Sequence, residues 1–173
     1  ICGHCGNSPL DIKGHLEKVI KKKTAMNYGV LIGHSTLRNK FMDNPYAAQP
    51  SQIELEKMKN HLEISLKNGA MGLSAGLRYF PGCFSATKEI IELCKILSKY
   101  GKLYATHIRN EENEIIDAVE ESIRICNSGK VRTMISHLKI LGKKNWYKSG
   151  EIISILSEAR NSGADIWADM YPF

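Results

Sequence analysis

Four glycines punctuate the chain in a way few folds can use. Gly69, Gly101, Gly129 and Gly163 each stand just after an amphipathic run and just before an apolar one. Their intervals of 32, 28 and 34 residues are those of successive strand–helix units, and each position wants a left-handed residue to end a helix. One helical run goes from about Asp11 to Asn27. Others start at Ser51, with Ile53, Met58, Leu62 and Ile64 on its apolar face, at Thr87, and at Ser149, with Ile152, Ile153 and Leu156 inward. A further one carries Ile115 to Ile125. Ser51-x-x-Glu54 is a capping box. Between them lie runs that are apolar throughout: the residues leading to Cys5, Gly29–His34, Ala70–Ser74, Leu103–Thr106, Val131–Ser136 and Asp165–Tyr171. Apolar strands alternating with amphipathic helices predict an α/β protein with about six parallel strands covered by helices.

The unit from Leu103 to Lys139 carries the chemistry. Its first strand stops on His107 and its second on His137, with Ile115, Ile116, Val119, Ile123 and Ile125 marking the helix between them. A crossover helix returns the chain in parallel, so both strands end on the same edge of the sheet. Two imidazoles meeting there suggest a metal site. Six strands fit either a doubly wound open sheet or part of a (β/α)₈ barrel, which takes about 250 residues. Cys5, His34, Ser74, His107, His137 and Tyr171 spread polar groups over nearly every strand end. That spread suits the carboxyl-end face of a barrel better than a single switch point. The expectation is therefore an incomplete TIM-like barrel, one partial domain over residues 1–173.

Charge and cysteine usage exclude other classes. The net charge of +6 owes much to Lys18, Lys21, Lys22 and Lys23, which fit a solvated helix end. No aromatic residues interleave with that lysine run, so nucleic acid is not an expected partner. No apolar run approaches the roughly 20 residues that span a bilayer. Five cysteines at irregular spacing argue against a disulfide framework and suit a reducing cytoplasm.

The segments GHCGNSPL, GVLIGHSTLR, GAMGLSAGLRYFPG, LYATHIRNE, MISHLKILGKKNW and ADIWADMYPF occur in this order along the chain. Together they resemble the N-acyl-D-amino-acid deacylases (D-aminoacylases) of the amidohydrolase superfamily. The resemblance implies a metal-dependent barrel in which these strands are the second to the seventh. It implies hydrolysis of an N-acyl-D-amino acid to a carboxylate and a D-amino acid. It also implies a zinc ion held by Cys5, His107 and His137, a donor set that suits zinc. By the same resemblance Tyr79 hydrogen-bonds the scissile carbonyl oxygen, Lys139 meets the substrate carboxylate, and Tyr171 assists it.

The departures bear on activity. The family's His-x-His pair on the first strand and the proton-accepting aspartate on the eighth have no counterpart here, so this chain alone is expected to be inactive or nearly so. Asp169 matches neither role. Other amidohydrolase reactions, such as cyclic-amide hydrolysis, and a non-catalytic metal-binding domain are the alternatives. His34 is expected to face the barrel mouth as a polar residue, and His15 and His61 to lie at the surface. Arg109 and Glu111 are expected to brace the end of the His107 strand by an ion pair. Open sheet edges predict self-association.

Overall fold

Each apolar run pairs in parallel with the run before it. The computed structural model describes residues 1–171; the last two residues of the ADIWADMYPF segment, and of the span 1–173, lie outside the described residues. Strands β1 (Ile32–Gly33), β2 (Gly72–Gly76), β3 (Leu103–His107), β4 (Thr133–Ile135) and β5 (Ile166–Ala168) form one sheet. Their spatial order equals their sequence order, and every pairing is parallel. A doubly wound sheet reverses its order at a switch point. This sheet does not reverse, which makes it an incomplete barrel wall. The expected strand before Cys5 is reduced to one parallel bridge, Cys2 to Val30.

Helices α1 (Ile12–Lys21), α2 (His34–Phe41), α3 (Gln52–Lys67), α4 (Thr87–Lys99), α5 (Ile115–Gly129) and α6 (Ser149–Asn161) complete the wall. One core packs Ile32, Leu73 and Tyr104 of the sheet against Met58 and Leu62 of α3 and Ile90, Leu93 and Leu97 of α4. A second packs Ile135 and Ile166 against Ile115, Val119 and Ile152. Fully burying each such side chain contributes about 1.5–3 kcal/mol over leaving it in water.

Four local expectations change. Helix α1 stops at Lys21 rather than near Asn27, with Lys23 left-handed just beyond. The sequence pattern gave no sign of α2, because its buried residues include His34, Ser35 and Arg38 as well as Leu37. Ile53, Ile64 and Ile153, counted among the apolar faces, are exposed. Gly69, Gly101 and Gly163 are left-handed caps as expected, but at the fourth site the left-handed residue is Lys130. Gly129 lies within α5, where an added Cβ would sit 2.7 Å from the Cys94 Cβ of α4. It is small because two helices meet there.

Candidate metal centre

Three donors from three separate segments converge at the carboxyl end of the sheet. Cys5 Sγ lies 3.8 Å from His107 Nδ1 and 3.6 Å from His137 Nε2, and the two nitrogens are 3.1 Å apart. Backbone geometry aims them. His107 is the last residue of β3, and its carbonyl accepts the Leu77 N–H at 2.9 Å, tying it to the end of β2. His137 follows β4 in a left-handed conformation (φ 43°), held by the Asp169 carboxylate, which accepts its N–H. Cys5 is also left-handed (φ 53°). Its loop rests on the sheet: Gly6 N–H donates to Ser74 Oγ at 3.1 Å, and the Ser74 hydroxyl donates to the Gly3 carbonyl. A Cβ at Gly76 would run into the Cys5 carbonyl, and one at Gly33 into that of Gly6. Left-handed non-glycine residues are uncommon and gather where a site must be held in shape.

Charges around the trio are nearly balanced. Glu111, only 3% exposed, places Oε1 3.2 Å from His107 Nε2 and against Lys139 Nζ. Burial alone would raise the Glu111 carboxyl, but His107 and Lys139 outweigh it and hold its pKa at about 2. Burial lowers the pKa of His137, and the neighbouring His107 and Lys139 charges lower it further. Burial raises the Cys5 thiol; the Lys139 ammonium opposes this, while Glu111 and Asp169 add to it. These surroundings favour a neutral His137 and a protonated Cys5 thiol until a cation supplies charge.

The spacing itself tests which cation. A tetrahedral ion about 2.3 Å from sulfur and about 2.05 Å from nitrogen sets S and N about 3.6 Å apart, and two nitrogens about 3.3 Å apart. The observed 3.8, 3.6 and 3.1 Å agree closely. Among the described residues this is the group of three or more His, Cys or acidic side chains whose donor atoms all lie within 4.8 Å of one another. One thiolate and two imidazoles are a zinc donor set with a fourth position to spare.

Comparison with known proteins points the same way. No family model matches the chain. It is 36% identical to a D-aminoacylase from Alcaligenes xylosoxydans xylosoxydans over 159 residues, covering 92% of this chain and 32% of the relative. The N-acyl-D-glutamate deacylase of Bordetella bronchiseptica, solved with zinc and a phosphonate mimic of the tetrahedral intermediate, superposes with a TM-score of 0.93 at 28% identity. That match covers 99% of this chain and 40% of the solved one. A D-aminoacylase structure described as defining a novel subset of amidohydrolases gives 0.90 at 31% identity, again covering 99% and 40%. This chain is a homologue of the D-aminoacylases. It spans about a third of the length of the curated relatives it matches.

Around the trio, this D-aminoacylase homologue arranges its other expected site residues unevenly. The Tyr79 ring meets His107 edge-on at 4.7 Å and is 46% exposed. Tyr171 lies 6.2 Å from the His137 ring, and Lys139 Nζ stands 5.7 Å from the Tyr171 ring centre. Lys139 is engaged by Glu111. The expected ion pair between Arg109 and Glu111 does not form: Glu111 pairs with Lys139, while Arg109 grips Glu121 through two nitrogens at 2.8 and 2.9 Å and donates to the Cys83 and Ser85 carbonyls.

The remaining histidines depart from expectation. His34 does not face the mouth of the deacylase-like barrel. It is fully buried, with Nε2 2.7 Å from Glu89 Oε1, because α2 starts at His34 and turns it toward α4. His15 and His61 are half-buried rather than at the surface; their rings contact Tyr28 and Phe41. The functions of Asp169 and Gly76 were not visible in the sequence. Each acts on a site residue far away in the chain, and nothing in local spacing signals that.

Proposed function

We propose that this chain carries the zinc-holding part of an amidohydrolase that hydrolyses N-acyl-D-amino acids to a carboxylate and a D-amino acid. The observation that carries the reading is the convergence of Cys5 Sγ, His107 Nδ1 and His137 Nε2 at zinc spacing. Those three side chains would hold the ion. When bound, zinc lowers the pKa of water toward about 7 and polarises an amide carbonyl. Tyr79, beside His107, would donate its O–H to the carbonyl oxygen as charge gathers there. Lys139 and Tyr171, on the His137 side, would bind the substrate carboxylate. Among the described residues none replaces the aspartate that accepts the water's proton in the resembling family, so the isolated chain should turn over at most slowly.

We also propose that residues 1–173 form one partial barrel domain. A cytoplasmic setting is favoured by five free cysteines. Among the described residues no helix is long and apolar enough to cross a membrane. Zinc titration and a deacylase assay of the purified chain test the reading together. One zinc per chain is expected, lost on His107→Ala or His137→Ala. Turnover matching a full-length relative would show that the chain's own residues suffice for catalysis. Absence of zinc binding would favour a non-catalytic scaffold.

A further inference from the structure

We infer that Glu111 is a positioning residue for the metal centre: it fixes the His107 tautomer, so that Nδ1 rather than Nε2 is the nitrogen offered to the ion. The inference rests on the zinc reading above. An imidazole can present either nitrogen, and the partner of one decides the role of the other. His107 turns Nδ1 toward Cys5 and His137, whereas its Nε2 is buried and makes no aligned hydrogen bond. The nearest counter-charge to that Nε2 is Glu111 Oε1 at 3.2 Å. A proton on Nε2 lies close to a carboxylate, whose charge favours it there over Nδ1 and leaves the Nδ1 lone pair free. Among the described residues Glu111 is the one carboxylate within 4.0 Å of either imidazole of the trio, being 3.8 Å from His137 Nδ1 as well.

Glu111 is itself held in place. Its carbonyl accepts the Leu141 N–H at 2.7 Å, and its carboxylate lies against the Lys139 ammonium. A buried carboxylate needs such a partner, so Lys139 holds the Glu111 carboxylate in place beside His107 Nε2. A purely structural brace would affect folding but not the choice of nitrogen.

Competitive titration of zinc against a chromophoric chelator, on the full chain and on Glu111→Gln, tests the inference. About 10–100-fold weaker zinc binding is expected at unchanged stoichiometry. Binding within twofold of the unsubstituted chain overturns the role of Glu111 and leaves the zinc reading intact. No binding by the unsubstituted chain overturns both. Should Glu111→Gln not fold, nitrogen NMR of the unsubstituted, zinc-loaded chain with labelled histidine decides. His107 protonated on Nε2 is the expected state; protonation on Nδ1 overturns the inference.

Discussion

Arg38 and Glu89 are each almost completely buried, and each depends on the other. Arg38 Nη1 donates to Glu89 Oε2 at 2.5 Å, its Nε donates to the Pro45 carbonyl at 2.9 Å, and His34 takes the other Glu89 oxygen. Removing the carboxylate leaves a guanidinium in the core without its counter-charge. Glu89→Ala should therefore cost about 3–5 kcal/mol, read as a lower urea midpoint. Glu92→Ala, which breaks the partly exposed pairs with Lys59 and Lys95, should cost less than about 1 kcal/mol. Burial also raises the thiols of Cys94 and Cys126. In the native chain both should resist iodoacetamide and react only in denaturant, as mass mapping would show. His107 and His137 were legible because strand ends collect on one edge once the strands are parallel; Cys5 joined them only through the family resemblance. His34 misled for the same reason: it too follows an apolar strand, yet α2 begins there and carries it inward. Glu111 was recognised only as a brace, since its contact with His107 depends on a loop conformation that no spacing encodes.

Elements place the donors, and glycines permit the placement. Gly76 ends β2 directly beneath the Cys5 loop, where a methyl group would collide with the Cys5 carbonyl and reach 3.1 Å from the Tyr79 ring. Gly76→Ala should displace the Cys5 loop and weaken zinc binding at least tenfold in the chelator titration, with the other strands intact. Gly150 in α6 offers the contrast. Nothing lies within 4 Å of its added Cβ, so Gly150→Ala should stabilise the chain by about 0.4–1 kcal/mol. A higher thermal midpoint is the readout. At this scale the periodic elements were readable: α3 with its capping box and α4 start where their signals stand, and α5 follows its apolar period. The polar helix α2 was not, because its burial rests on ionic and hydrogen-bonded contacts rather than on an apolar stripe.

At the scale of the whole molecule, the sheet formed by the described residues has two ends that do not meet. Among the described residues β5 pairs with β4 on one side only. Trp167 on β5 is 50% exposed and Met170 beyond it 79%. Ile153 on α6 is exposed as well, and Ile152 is the sole buried residue of that helix. At the far edge, β1 is only two residues long, and Cys2 bridges to Val30 beside it. A short, partly covered edge is a weak template, whereas an exposed strand flanked by large apolar side chains is a strong one. The β5 edge is thus where self-association should begin. Sedimentation velocity over a range of concentrations should show a growing dimer or larger fraction. Trp167→Lys, which places a charge on that edge and removes the ring stacked 3.7 Å from Arg160, should shift the balance toward monomer. A monomer at every concentration would mean that the twist of five strands, with α6 folded over their last member, protects the edge without a partner.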